Sequence, residues 1–377
     1  EHVGVARFPS LSEDQNGCFS GSAVEENGVM HLFYTGVHYN QVNPKDIHQC
    51  LDQDFTSAQL HLTSKDGMHF DVFGDKEVVI PALTDPEIGD NTHTRDPKVW
   101  KGSDAWYMVL GSTTKDHKGE ALFYKSEDLS HWHLAGQATT KQKLGWMWEC
   151  PDLFNVNGRS VFVFSPMELI EDPDGYADRA ICMLPEFDEK TCTMKFPENW
   201  QLLDCYAPQT MTDADGNRIS IAWLRMPEPV DGIWQGMFCL PRVVDVQNDH
   251  IYFRVLPAIR DGFCKKTDSL VSACGECAMI RAELKEGESL EIGGYKIWRQ
   301  SGKVCADRTD VYPSGAKGWL HAETPQLKEG DLLEIFVDPN MIEIYANNGE
   351  YVLSQAVYGL GETFSYEMEK KPEIYLW

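Results

Sequence analysis

Glu149 lies in Trp148-Glu149-Cys150-Pro151-Asp152-Leu153-Phe154, at the mouth of an apolar run and flanked by Trp146, Trp148 and Leu153. Such surroundings strip solvent from a carboxyl group and raise its pKa, which makes Glu149 a candidate general acid able to deliver a proton near neutral pH. Asp96, in Arg95-Asp96-Pro97, suits the complementary task. The adjacent guanidinium is expected to keep Asp96 ionised, and an ionised carboxylate can hold ring hydroxyls and steady a cationic transition state. Two carboxyls pushed in opposite directions are what cleavage of a glycosidic bond asks for. Each also has a plainer reading when taken singly: a strand-edge glutamate in a solvated loop, and an Arg-Asp turn with a local salt bridge.

Three further segments carry groups that could line a sugar pocket. Gly17-Cys18-Phe19-Ser20-Gly21-Ser22-Ala23 sets an aromatic ring beside a hydroxyl among small residues. That combination fits the apolar face and the hydroxyls of a sugar, or a tight strand start. Tyr206-Ala207-Pro208-Gln209-Thr210 and Gly232-Ile233-Trp234-Gln235-Gly236 add aromatics and amides that both donate and accept hydrogen bonds. Those side chains could equally belong to core and loop. Cys274 and Cys277 have metal or redox spacing but no second pair, and the twelve histidines form no ligand set. Neither a metal nor an organic cofactor is expected.

These segments must be positioned by strands, because helical periodicity is nearly absent. From Phe19 to about Val255 short runs rich in Val, Ile, Phe, Tyr and Trp are bounded by Gly, Asn and Asp turns, such as Asn27-Gly28 and Asn157-Gly158. A second phrase recurs: Ser64-Lys65-Asp66-Gly67-Met68-His69-Phe70 and Ser126-Glu127-Asp128-Leu129-Ser130-His131-Trp132, each between two strands. Asp96, Glu149 and Tyr206 follow one another at gaps of 53 and 57 residues. That spacing is close to the ~40–50 residues of a four-stranded propeller blade. In a propeller the innermost strands line one channel, so distant motifs converge. A β-sandwich with irregular loops would explain the strands and leave the spacing as coincidence. After Pro257 the alternation is cleaner, as in Leu332 to Val337 and Met341 to Tyr345. The expected class is therefore all-β: a propeller over residues 1–257, a connection over 258–267 and a sandwich over 268–377.

Composition narrows the partners. With 33 basic and 59 acidic residues the chain carries a net charge of −26, which argues against nucleic acid or an anionic membrane surface and for a neutral small molecule. Oligomeric state is left open. Eleven scattered cysteines suggest free thiols in a reducing, cytoplasmic setting. No stretch approaches the roughly 18 apolar residues of a membrane span.

Together, Gly17–Ala23, Ser64–Gly67 with Phe70, Arg95-Asp96-Pro97-Lys98-Val99, Glu149-Cys150-Pro151-Asp152-Leu153, Tyr206-Ala207-Pro208-Gln209 and Leu240-Pro241-Arg242 resemble, in order and spacing, glycoside hydrolase family 32, which contains invertases and fructan hydrolases. The resemblance implies a five-bladed β-propeller followed by a β-sandwich, and retaining hydrolysis of terminal β-fructofuranosides in sucrose or fructo-oligosaccharides. By position Glu149 resembles the acid/base and Asp96 the transition-state stabiliser, while Phe19, Ser20, Arg95, Cys150, Tyr206, Gln209 and Trp234 resemble pocket residues. One departure stands out: the family's nucleophilic aspartate belongs to an Asn-Asp-Pro-Asn-Gly motif that this sequence lacks. His2 to Pro9 resembles the end of the first blade, which is therefore expected to be incomplete. Asp14 only superficially echoes the missing motif. A catalytically inactive sugar-binding propeller is the alternative; an arabinan- or xylan-acting relative fits the Arg-Asp-Pro and Glu-Cys-Pro-Asp segments less well.

Overall fold

In the computed structural model, residues 4–170, 179–268, 277–327 and 330–377 are described. They divide into two compact units. The first comprises Glu1–Phe154, Ser160–Ile170 and Met183–Trp200; the second comprises Asn155–Arg159, Glu171–Cys182 and Gln201–Trp377.

The first unit opens with a four-stranded antiparallel meander: β1 (Gly17–Glu26), β2 (Val29–Tyr39), β3 (Phe55–Ser64) and β4 (Glu77–Ile80). A second follows with the same order: β5 (Arg95–Lys101), β6 (Trp106–Thr113), β7 (Gly119–Ser126) and β8 (His133–Thr139). Asn27 and Gly28 both take positive φ, 54° and 79°, which is the geometry a tight two-residue hairpin needs between β1 and β2. Phe33 and Ile80 of the first sheet pack with Val99, Met108, Leu110 and Leu122 of the second, so the two sheets bury one shared apolar layer. The Ser22 hydroxyl ties their first strands together, donating to the Pro97 carbonyl at 2.8 Å and accepting Val99 N–H at 3.0 Å. Gly21 cannot be larger, because a Cβ there would stand 1.9 Å from the Phe33 carbonyl oxygen.

The repeated Ser-acid phrase is the turn from third to fourth strand in both sheets. Asp66 Oδ1 accepts the N–H groups of Met68 and His69 at 2.8 Å each, and Asp66 Oδ2 pairs with His69 Nδ1 at 2.7 Å. Asp128 does the same with Ser130, His131 and the His131 ring. The sequence repeat is thus a structural repeat, one self-bonded turn per sheet.

A third first strand, β9 (Trp148–Val156), pairs with β10 (Arg159–Pro166). Ahead of β1 no strand occurs among described residues 4–16, which hold only coil and one 3-10 turn, Ser12–Asp14.

In the second unit, β11 (Ile181–Met183) pairs with β12 (Gln201–Leu202) through Ile181 and Cys182. A meander of β13 (Tyr206–Thr212), β14 (Arg218–Leu224), β16 (Arg242–Gln247) and β17 (His250–Val255) follows, with β15 (Met237–Phe238) beside β14. After helix α1 (Pro257–Gly262) come two antiparallel sheets. One orders β18 (Lys265–Thr267), β28 (Glu373–Leu376), β19 (Ala278–Glu283), β24 (Leu332–Asp338), β25 (Met341–Ala346) and β26 (Tyr351–Ala356). The other orders β23 (His321–Glu323), β22 (Lys303–Asp307), β21 (Tyr295–Gln300), β20 (Ser289–Ile292) and β27 (Phe364–Glu367). Their inner faces share a core that includes Ile280, Leu290, Ile297, Leu333, Ile344 and Ile374. Residues 265–267, expected in the connection, pair with Ile374–Leu376 as an edge strand.

Candidate functional site

Arg95 starts β5 and Glu149 stands one residue into β9, and the two strands face each other at a constant offset of 54 residues. Arg95 Nη2 donates to Glu149 Oε1 at 2.7 Å. Cys150 N–H donates to Asp96 Oδ2 at 2.8 Å, with the Cys150 thiol 3.5 Å from the same oxygen. Lys98 Nζ meets Asp152 Oδ2 at 3.0 Å. Arg-Asp-Pro-Lys is thus matched position by position to Glu-Cys-Pro-Asp, cation to carboxylate at both ends.

The backbone makes this register possible. Asp96 and Cys150 take φ of 64° and 48° although each precedes a proline. Left-handed backbone is uncommon for such residues and costs on the order of 1–3 kcal/mol. The β5 to β6 register slips between Arg95 and Lys98, so the Asp96 turn is a bulge that re-aims its neighbours. Asp96 N–H is satisfied by the Thr35 hydroxyl at 2.9 Å; that hydroxyl donates to Gln59 Oε1 at 2.7 Å, and Gln59 Nε2 to the Thr94 carbonyl at 3.0 Å. Ala207, in Tyr206-Ala207-Pro208, repeats the feature at φ 49°, beside a register slip between Tyr206 and Gln209.

The electrostatics differ from the sequence reading. Asp96 was expected to stay ionised beside Arg95, yet its carboxyl is pushed above the ordinary aspartate value by burial, with Glu149 adding to the push and Arg95 opposing it. The reason is geometric. Arg95 gives its shortest contact to Glu149 and reaches Asp96 Oδ2 only at 4.0 Å through Nε. Arg95 itself is buried, which lowers its pKa, but Asp96 and Glu149 outweigh that and hold it above its usual value. The apolar shell expected around Glu149 is also absent on the Trp148 side. Trp148 is packed in the core against Phe162, Phe164 and Phe196, while the Glu149 side chain keeps 22% of its surface exposed.

The sequence reading did not single out His93, Thr35, Gln59, Lys98 or Asp152 as site residues. His93 Nδ1 lies 3.1 Å from Arg95 Nη1. An arginine only donates, so His93 accepts and is neutral there; burial and then the Arg95 charge hold its pKa down. The ring stands edge-on to Trp146 at 4.9 Å. The pairing of Lys98 with Asp152 was legible in hindsight as charge complementarity between the two tetrapeptides. Nothing in the types or spacing of Thr35, Gln59 and His93 marks them.

Phe19 and Ser20 lie in the same unit. Phe19 is 41% exposed and tilts against Phe55 at 6.5 Å, and the Ser20 hydroxyl is a hydrogen-bond partner of the buried Cys150 thiol. Tyr206, Gln209 and Trp234 belong to the second unit. Tyr206 is buried, with the Arg225 guanidinium 4.0 Å above its ring; Gln209 pairs with Ile221 on β14; Trp234 is 42% exposed and bridges to Val230. Asp14, set aside as a nucleophile, is fully buried and engaged at both oxygens. Oδ1 accepts Ser10 N–H and Leu11 N–H; Oδ2 takes Lys76 at 2.7 Å and the Tyr34 hydroxyl at 2.8 Å. Cys274 lies outside the described residues. Among the described residues no cluster of His, Cys, Asp and Glu suits a metal ion, and no helix is long and apolar enough to cross a membrane.

Residues 1–255 match the family model for the glycosyl hydrolases family 32 N-terminal domain, and residues 269–371 match the family 32 C-terminal model. Sucrose-6-phosphate hydrolase of Bacillus subtilis is 31% identical over 385 residues, covering 93% of this chain and 76% of that protein. Raffinose invertase of Escherichia coli is 31% identical over 402 residues, covering 95% and 78%. Among solved structures, a family 32 β-fructofuranosidase of Bombyx mori superposes with a TM-score of 0.78 at 25% identity, covering 98% of this chain and 80% of that one; a mutant of it has been solved with sucrose. With both domain models matched, this chain belongs to glycosyl hydrolase family 32, and its architecture is an N-terminal β-propeller followed by a C-terminal β-sandwich.

Proposed function

We propose that this chain releases terminal β-D-fructofuranosyl residues from sucrose or fructo-oligosaccharides. The observation that carries the reading is the Arg95–Glu149 and Asp96–Cys150 register. It sets one partly exposed carboxylate and one buried carboxyl side by side on adjacent first strands, around a single guanidinium. In this reading Glu149 protonates the leaving glycosidic oxygen from its exposed side and later activates water. Asp96, desolvated and held by Cys150 N–H, binds ring hydroxyls and stabilises positive charge on the ring. Arg95, fixed by His93, keeps the two carboxyls from repelling one another apart. Phe19 and Ser20, in the same unit, serve as sugar-contacting groups. That no disulfide joins the described cysteines supports a reducing, cytoplasmic setting.

A second reading, sugar binding without turnover, draws on one observation: Asp14, whose surroundings superficially echo the family's nucleophile motif, is tied down at both oxygens. Fructose release from sucrose by the 377-residue chain, with Glu149→Gln beside it, separates the two. Hydrolysis predicts release that disappears in the variant. Saturable fructose binding with no release, the same in both proteins, would establish the binding reading instead.

A further inference from the structure

Glu120 is a buried carboxyl that the proposed chemistry does not use. It stands on β7, 4% exposed, directly across the sheet from Ser112 on β6 and from Thr139 on β8. The Ser112 hydroxyl is a hydrogen-bond partner of the carboxyl. The segment ahead of β5 covers this face: a Cβ at Gly89 would stand 3.0 Å from both Ser112 Oγ and Leu122 Cδ1. From Ser112 the polar contacts continue into that segment. Ser112 Oγ lies 2.8 Å from Thr94 Oγ1 and accepts Asp90 N–H at 3.4 Å, and Thr94 Oγ1 donates to the Asp90 carbonyl at 2.6 Å.

A hydroxyl has one proton to give, and a carbonyl only accepts. With the Thr94 proton on the Asp90 carbonyl, Ser112 donates to Thr94, and only a protonated Glu120 completes the chain by donating to Ser112. All donors then run one way, from Glu120 through Ser112 and Thr94 to Asp90. An ionised Glu120 reverses the order: it takes the Ser112 proton, Ser112 takes that of Thr94, and the Asp90 carbonyl loses its donor. The turn that loses this bond carries the site. Asp90 Oδ1 accepts the N–H groups of Thr92 and His93 at 2.8 Å each, and His93 Nδ1 accepts Arg95 Nη1. The Thr94 carbonyl takes Gln59 Nε2, which leads through Thr35 to Asp96 N–H. The charged groups on the elements beside Glu120 are Asp90 and His93 in the turn, Glu87 paired with Lys115, and the exposed Lys118, Lys141 and Lys143. Among the described residues burial pushes the Glu120 carboxyl up to about 7 and the Ser112 bond opposes it, so its proton is exchanged near neutral pH.

We propose that Glu120 is a positioning residue for the Arg95–Glu149 site: loss of its proton reverses the hydroxyl chain and loosens the Asp90–Thr94 turn, so His93 and Arg95 are held in place only while Glu120 is neutral. The inference rests on the hydrolase reading for what the site does. Nitrogen NMR of the histidine-labelled 377-residue chain tests it without turnover, from about pH 6 to about pH 8.5, with His93 assigned through His93→Gln. The His93 signal should move through a step centred near pH 7, apart from its own titration, which burial keeps below the ordinary histidine value. The step should vanish in Glu120→Gln, whose amide cannot ionise, and in Ser112→Ala, which cuts the chain and leaves the carboxyl. Thermal melting shows which variants are folded, and either one alone decides. Over the same range kcat/KM of the parent on sucrose should fall at least roughly tenfold, through a limb that moves to higher pH in Glu120→Gln. A parent without turnover would contradict the hydrolase reading and leave the His93 step to decide this one. No step in the parent, or a step unchanged in a folded variant, would overturn the proposal.

Discussion

Two arginine–glutamate pairs, one in each unit, show how the same chemistry serves different ends. Arg242, from the Leu240-Pro241-Arg242 segment, pairs with Glu343 of β25 where both side chains are almost wholly inaccessible. Neighbouring groups supply further partners: Arg242 Nη2 also donates to the Ser354 hydroxyl, Arg242 Nε to the Tyr345 hydroxyl at 3.3 Å, and Leu240 N–H to Glu343 Oε2 at 3.1 Å. Arg95–Glu149 is left open by contrast. Glu149 retains exposed surface, a second carboxyl shares the cation, and the backbone beside both carboxyls is strained. A closed pair holds β16 to β25. An open pair beside strained backbone leaves one carboxyl partly exposed.

Breaking each pair should therefore fail in a different way. Arg95→Gln leaves two carboxyls without their shared cation, and turnover should fall by on the order of 10²-fold or more as positioning is lost. Its acid limb should also move to higher pH. Asp96 is already raised by burial, and removing the opposing cation raises it further, so ionised Asp96 is lost sooner as pH falls. A pH profile of kcat/KM checks both. Glu343→Gln should act on stability instead, because it leaves Arg242 buried without its counter-charge. A loss of about 3–5 kcal/mol is expected in denaturant unfolding, with turnover per folded molecule kept.

Smaller effects sharpen the same contrast. Glu120, on β7, is a buried carboxyl whose pKa is pushed up to about 7 by burial, against a stabilising bond from Ser112. Its folded pKa exceeds the unfolded one, so its contribution is fully present below about pH 4.5 and is lost as pH rises through about 7. Glu120→Gln should flatten stability over that window, adding on the order of 2 kcal/mol at pH 8 in urea melts. Ala207→Gly should give the smallest change. It relieves a φ of 49° and is expected to alter stability by no more than about 1 kcal/mol, glycine's freedom in the unfolded chain offsetting part of the relief.

Much of the architecture was legible because it is local. The Asn27-Gly28 turn, the paired Ser-acid phrases and the clean alternation after residue 277 each act within a few residues of themselves. The site was legible as residue types and less so as electrostatics. Adjacency in sequence suggested that Trp148 desolvates Glu149 and that Arg95 serves Asp96. On a strand, neighbours point to opposite faces, so Trp148 went to the core; and the arginine's reach favoured a residue 54 positions away over the one beside it. Thr35, Gln59 and His93 were invisible for the same reason, since their importance comes only from which strand ends meet.

Leaving-group dependence tests whether Glu149 is the proton donor to the departing oxygen. Turnover of Glu149→Gln should be compared on sucrose and on an aryl β-fructofuranoside, whose phenolate leaves without help. With Glu149 as the donor, a loss of roughly 10²–10⁴-fold is expected on sucrose and a much smaller one on the aryl substrate. Equal losses on both would mean that Glu149 positions the sugar and that the proton comes from elsewhere.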